Sequence, residues 1–251
     1  MKLPVHKQNL HKHTETELDL FGQYAAYFED SPLSTTQKLQ SFCKYVRRQD
    51  LSRFLAKNEV FKQQLNVPGS IIECGTYAGQ GLMTFAQLSS IYEPNNHTRK
   101  IIGFDTFKGM PKPSKKKDKY FKKGDLKTHK NIVGEIKHGI GLHDMNRTLG
   151  HITKTEVITG DVNLTIPRYV EINPHLVVSL LYLDFDLYKP TMKAIDELLH
   201  RIPSGGVIAF DELNAQNCGG ETQAVIETIG LNNLKLKRTQ FDPWITYAKI
   251  R

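Results

Sequence analysis

Cysteine is scarce in this chain of 251 residues: Cys43, Cys74 and Cys218 stand far apart and form no CxxC pair. An odd, dispersed set points to neither a disulfide framework nor a thiolate zinc site, and it fits a reducing cytoplasm. Long apolar runs are missing as well, none approaching the ~20 residues of a membrane-spanning helix. The opening MKLPVHKQNLHKHTETELDL has no apolar core of signal-peptide type. The expectation is a soluble cytoplasmic protein with no membrane partner. Charge of one sign is not spread through the chain either, although Lys and Arg number 34 against 26 Asp and Glu. Between Thr106 and Lys130 lie ten lysines against Asp118 and Asp125, so that segment alone carries the whole excess of +8. A basic stripe over the whole surface, as nucleic-acid recognition favours, is therefore not expected.

What is present reads as an α/β protein, taken as a single domain over residues 1–251. Phe21, Tyr24, Phe28, Leu39, Phe42, Val46, Leu51, Phe54 and Leu55 recur at roughly helical spacing, with Ser34 and Asp50 as N-caps, which predicts a helical N-terminal cap over residues 1–66. Short apolar runs follow at Ser70–Cys74, Lys100–Asp105 and Glu156–Ile158, each closing on glycine or an acid. Val177–Asp186 is apolar almost throughout, as expected of a central parallel strand covered on both faces. Val207–Phe210 makes a fifth strand. Leu234–Phe241 and Trp244–Ile250, separated by Asp242 and Pro243, are too close for a helical crossover and must pair antiparallel. The expected fold is Rossmann-like, a mostly parallel sheet finished by an antiparallel hairpin. Residues 107–153, rich in Lys, Gly and His, interrupt this order and read as a mobile lid insertion.

Glu73-Cys-Gly75-Thr76-Tyr-Ala-Gly79-Gln-Gly81 falls where the first strand turns into a helix. Gly75 allows the tight turn, and Gly79 and Gly81 let the backbone approach a ligand or the strand. Asp105 ends the next strand, where a carboxylate can accept both hydrogens of a ribose diol, and Asp161 closes the strand after it. A dinucleotide would bring a pyrophosphate to this turn, which three acids disfavour. A ligand carrying a sulfonium, an ammonium and an adenine amino group suits them better, so the expected cofactor is S-adenosylmethionine rather than NAD. Either aspartate alone could instead be a helix N-cap.

Asp184-Phe-Asp186 and Asp211-Glu212 sit at the carboxyl ends of two further strands, which line one crevice in a parallel sheet. If the strand stays extended, Asp184 and Asp186 share a face. Four converging carboxylates repel one another unless a cation or protons relieve them, and Mg²⁺ is the hard ion such oxygens suit. Asp186 could also merely cap the next helix.

IIECGTYAGQG, IIGFDTFKGMP, GDVNLTIP, LLYLDFDLYKPT and SGGVIAFDEL, in this order from Ser70 to Leu213, resemble the macrocin O-methyltransferase family, which includes aminocoumarin sugar methyltransferases. The resemblance implies class I methyltransferase topology and transfer of a methyl group to a hydroxyl of a small, sugar-containing acceptor. It further implies cofactor contacts from Glu73, Gly75, Thr76, Gly79, Asp105 and Asp161, metal ligation by Asp184, Asp211 and Glu212, and Asp186 as general base. The family commonly has two adjacent aspartates where this chain has Asp211-Glu212.

The lysine-rich insertion is a solvated loop, a clamp for an anionic acceptor such as a phosphorylated or nucleotide-linked sugar, or an RNA contact. RNA methylation is the second enzymatic reading, without a recognisable RNA-binding module in its favour. A non-catalytic binding domain is disfavoured because the crevice acids are present. His97, His129, His138, His143 and His151 are expected on the surface, and Gly220-Glu221-Thr222 either helps position substrate or starts a helix. Assembly of several copies stays open.

Overall fold

The computed structural model describes residues 15–251, with side chains from residue 19 on. Two compact units divide the chain, one ending at Leu55 and the other spanning Ala56–Arg251.

In the first unit, α1 (Glu15–Asp30) leads to α2 (Thr35–Gln40), a 3₁₀ turn at Phe42–Lys44 and the first turns of α3 (Arg48–Lys62). Ser34 caps α2 in a reciprocal capping box with Gln37, satisfying backbone donors that a helix start leaves free. Tyr45 gathers Tyr27 and Phe28, each ring centroid 5.3 Å from its own. Asp50 is not the N-cap its position suggested. It lies in the first turn of α3, where its carboxylate takes a bidentate pair of bonds from Arg47.

The second unit is built on a seven-stranded sheet of order β3-β2-β1-β4-β5-β7-β6. Its strands are β1 (Ser70–Cys74), β2 (Ile101–Asp105), β3 (Thr155–Thr159), β4 (Val178–Leu183), β5 (Val207–Phe210), β6 (Lys237–Arg238) and β7 (Thr246–Lys249). The first five are parallel, and β7 joins β5 antiparallel with β6 beyond it. The Rossmann-like sheet and its terminal hairpin agree with the sequence reading. Its edge, β6, is short and carries Lys237 and Arg238 exposed, which discourages pairing with another chain.

Helices α4 (Gln80–Tyr92), α5 (Ile132–Met145), α6 (Val162–Ile172), α7 (Tyr188–Leu198) and α8 (Gly219–Thr228) cover the sheet. Because strand residues alternate in direction, two cores form. Ile71, Ile101, Leu180, Tyr182, Val207 and Ala209 pack with Phe61, Leu82 and Phe85 on one face. Ile72, Phe104, Leu181, Leu183, Ile208 and Phe210 pack with Ile166, Ala194 and Val225 on the other.

Two departures from the sequence reading bear on the site. β4 ends at Leu183, three residues before Asp186, so Asp184 and Asp186 are not two positions of one extended strand. Residues 107–153 are also not structureless, since they contain α5, whose Ile132, Ile136 and Ile140 are buried at every fourth position. Gly134 and Gly139 fall between them and Gly141 follows, which hides the periodicity.

Candidate active site

The parallel register carries the ends of four strands to one level. Cys74 faces Phe104 and Leu183, and Leu183 faces Phe210, so the next residues Gly75, Asp105, Asp184 and Asp211 line the same edge. The ladder continues there: Gly75 donates to the Phe104 carbonyl, Asp184 to Cys74 and Asp211 to Leu183, at 2.8–2.9 Å. Gly75 has φ +97°, and a β-carbon on it would lie 1.8 Å from the Asp184 carbonyl oxygen, so both conformation and space require glycine.

Glu73 is turned away from the edge. Its carboxylate, 1% exposed, lies 3.6 Å from the Lys57 ammonium and fills the space a β-carbon on Gly81 would occupy. Burial pushes its pKa up to about 7, against the pull of Lys57 and with help from Asp211. Lys57 also sits 3.7 Å over the ring of Tyr182, whose hydroxyl donates to Asp211. Glu73, Lys57, Tyr182 and Asp211 thus form one buried chain of polar contacts behind the glycine turn.

The remaining cofactor candidates divide by what their side chains do. Asp105 receives the backbone N–H of Tyr77 on one oxygen and that of Phe107 on the other, at 2.8 and 2.7 Å, which pins both neighbouring loops and leaves about two acceptor positions. Asp161 is exposed and caps α6 through Asn163, the N-cap alternative that its sequence position allowed. The Thr76 hydroxyl is buried without a partner, 2.6 Å from where a β-carbon on Gly103 would be. Gly79, left-handed at φ +87°, starts α4 and lies against Ile136 of α5.

At the other end of the crevice, Asp186 follows β4 in a left-handed conformation, φ +61°, that a non-glycine residue seldom adopts. Its carboxyl is buried beside that of Glu212. Burial, then Glu212, Asp184 and Glu221, raise its pKa well above the ordinary carboxylate range. Potential ligand atoms of Asp186, Glu212 and Cys218 all lie within 4.8 Å of one another. Asp184 and Asp211 are not part of that group. Alternation along the chain separates the neighbours, since Asp211 meets Tyr182 whereas Glu212 meets Asp186 and α8.

The Gly220-Glu221-Thr222 run lies in the first turn of α8, the helix start that the sequence allowed. Glu221, fully buried, accepts the Glu212 backbone N–H at 3.1 Å, while its second oxygen has no hydrogen-bond partner and faces Glu212, Asp211 and Asp184. Thr222 accepts from the Asn214 N–H at 2.9 Å. Cys218 escaped the sequence reading, because a thiol immediately before a helix looks like any apolar filler. Of the histidines, His143 is buried against expectation and shares a 3.0 Å hydrogen bond with Ser90 of α4.

A family model, that of macrocin O-methyltransferases, matches residues 47–247. Among solved structures, the calicheamicin methyltransferase CalS11 is similar at 30% identity over 94% of this chain and 93% of its own, with TM-score 0.91. Its apo form, described as a TDP-rhamnose 3′-O-methyltransferase, gives 29% identity, 94% and 95% coverage and TM-score 0.84. The O-methyltransferase NovP, at 15% identity over 79% of each chain and TM-score 0.60, shares the fold. Among curated protein sequences there is no significant match.

Proposed function

The chain belongs to the macrocin O-methyltransferase family, and from that premise we propose that it transfers the methyl group of S-adenosylmethionine to a hydroxyl of a small, anionic, sugar-containing acceptor. The observation that carries this reading is the row of acids at the carboxyl ends of β4 and β5, one strand away from the glycine turn after β1. Such an edge puts a methyl donor and a proton acceptor side by side.

On this reading the backbone at Gly75, Thr76 and Gly79 shapes the cofactor's seat, Asp105 offers its remaining acceptor positions to the ribose, and Asp161 stands at the adenine end. Glu73 supports the turn from behind. S-adenosylmethionine supplies an electrophilic methyl carbon on a sulfonium. A sugar hydroxyl is a poor nucleophile at neutral pH, and Asp186 accepts its proton as the new oxygen–carbon bond forms. Burial and its acidic neighbours make Asp186 a stronger base than an exposed aspartate.

A divalent cation fits the donor set: Glu212 and Glu221 each have a buried oxygen without a hydrogen bond, in a crevice of oxygen ligands. By the family resemblance Asp184, Asp211 and Glu212 would hold it; of these Glu212 lies in the close group with Asp186 and Cys218, so Asp184 and Asp211 would have to turn toward it, and the ion would polarise the acceptor hydroxyl.

An anionic acceptor is supported by the lysine-rich segment. Asp118 and Asp125, its two acids, accept backbone N–H groups. Nine of its ten lysines are exposed, and the tenth, Lys117, is the one in an ion pair among the described residues. Their unbalanced charge suits the diphosphate of a nucleotide-linked sugar, the acceptor type that the name of one CalS11 structure gives for that enzyme.

Isothermal titration of S-adenosylmethionine and, separately, NAD into the metal-stripped protein, repeated with Mg²⁺, tests the cofactor. Mass spectrometry of nucleotide sugars and free glycosides after incubation tests the acceptor. Micromolar binding of S-adenosylmethionine alone and a gain of one methyl on a nucleotide sugar are expected. Binding of NAD, or methylation confined to neutral glycosides, would overturn the corresponding half.

A further inference from the structure

Helix α7 begins two residues after Asp186, and its N-cap position is held by Leu187, which has no side-chain oxygen to receive the first backbone N–H groups. The missing acceptor comes from elsewhere in the chain. Asp118, in the lysine-rich segment 70 residues earlier, places one carboxylate oxygen 2.9 Å from the Tyr188 N–H and the other 2.6 Å from the N–H of Ser114. The aspartate is 3% exposed, and its negative charge lies at the positive end of the helix.

The contact is built into the packing. A β-carbon on Gly220 of α8 would lie 2.0 Å from this carboxylate, 2.6 Å from the Tyr188 nitrogen and 3.1 Å from the Asp186 carbonyl oxygen, so α8 has glycine where the three meet. Lys117 reinforces the junction, its ammonium 3.5 Å over the Tyr188 ring and 2.6 Å from Glu227. Met110 and Phe121 of the same segment share a small apolar core with Leu187, Ala215 and Cys218. The segment with the unbalanced lysines is thereby fastened to the turn that holds Asp186 at φ +61°.

We infer that Asp118 is a positioning residue: by capping α7 from the lysine-rich segment it holds the Asp186 turn, so that engagement of an anionic acceptor and orientation of the base are one coupled event. This rests on the reading of Asp186 as base and of the lysines as acceptor contacts. A left-handed aspartate is costly unless its neighbours over-determine it, and the cap supplies that constraint from a segment that the acceptor itself would order. Without the cap, Asp186 is free to relax and the acceptor contact no longer reaches it.

Amide hydrogen exchange on the full chain tests this without an identified acceptor. Thymidine diphosphate serves as probe, with wild type, Asp118→Ala and the milder Asp118→Asn, which can accept at only one of the two N–H groups. In wild type the probe is expected to slow exchange in peptides covering 112–127 and 186–191 together. In Asp118→Ala, peptides 186–191 should exchange about fivefold faster, as loss of one hydrogen bond implies, and should no longer respond to the probe, while those from β1 and β2 stay unchanged. Asp118→Asn should lie between and remains informative if the alanine variant does not fold. With an accepted sugar, Asp118→Ala should lower kcat by about a hundredfold with KM for S-adenosylmethionine unchanged, a split that general loss of structure does not produce. Wild-type protection of 186–191 in both variants would overturn the inference. If the probe protects nothing in wild type, the acceptor class fails, and the exchange of 186–191 without probe still decides whether Asp118 holds the turn.

Discussion

The hydroxyl of Tyr182 donates a hydrogen bond to the carboxylate of Asp211, joining the interior of β4 to the first residue after β5. Tyr182 is paired in register with Ala209, so Asp211, two residues further along, emerges on its face of the sheet. That face also presents Glu73 and Lys57. Tyr182→Phe should therefore cost about 1–3 kcal/mol, because the buried carboxylate loses a donor. Urea denaturation at neutral pH measures it, and an unchanged midpoint would show that Asp211 draws its stabilisation elsewhere.

Stability should depend on Glu73 in a defined pH window. Its pKa is raised from 4.5 to about 7 by burial, so the protonated form is favoured in the folded state. The stabilisation is fully present below 4.5 and is lost as pH rises to about 7. Thermal melts of Glu73→Gln against wild type should show the variant gaining relative stability from pH 4.5 to about 7 and then running parallel. A difference independent of pH would mean that the carboxylate is not strained by burial.

Gly75→Ala meets two obstacles, a positive φ and the Asp184 carbonyl oxygen 1.8 Å from the new carbon. A loss of about 2 kcal/mol or more is expected, with S-adenosylmethionine binding abolished in calorimetry. Wild-type binding in this variant would remove the turn from the cofactor seat.

Asp186→Asn should lower methyl transfer by about 10²–10⁴-fold and leave S-adenosylmethionine affinity unchanged. Loss of both together would assign the residue to cofactor binding instead.

Glu221→Gln should weaken Mn²⁺ binding, followed by electron paramagnetic resonance, by about ten- to a hundredfold, because Glu221 holds the Glu212 backbone and adds charge to the crevice. Equal affinity in the variant would leave Glu221 a purely structural carboxyl.

The strands along the chain, the central place of β4, the antiparallel ending and the acids at the strand ends were legible in the sequence. Each rests on local rules: uninterrupted apolar runs for strands covered on both faces, glycine where the chain turns sharply, and a two-residue gap too short for a crossover. Helix α5 was not legible, because glycines dilute the repeat of Ile132, Ile136 and Ile140 and its burial comes from packing. Side-chain direction at the site was decided by tertiary structure alone. The sequence places Glu73, Asp184, Asp186, Asp211 and Glu212 at strand ends, but burial beside Lys57 turns Glu73 behind the glycine loop, and Tyr182 takes Asp211 to one face while α8 and Asp186 take Glu212 to the other. Asp118 is the extreme case: in the sequence it is one acid among lysines, and only the close approach permitted by Gly220 makes it the cap of a helix 70 residues away. Backbone periodicity is set by neighbours along the chain, whereas a carboxylate's partner is set by whatever donor the folded chain brings within hydrogen-bonding distance.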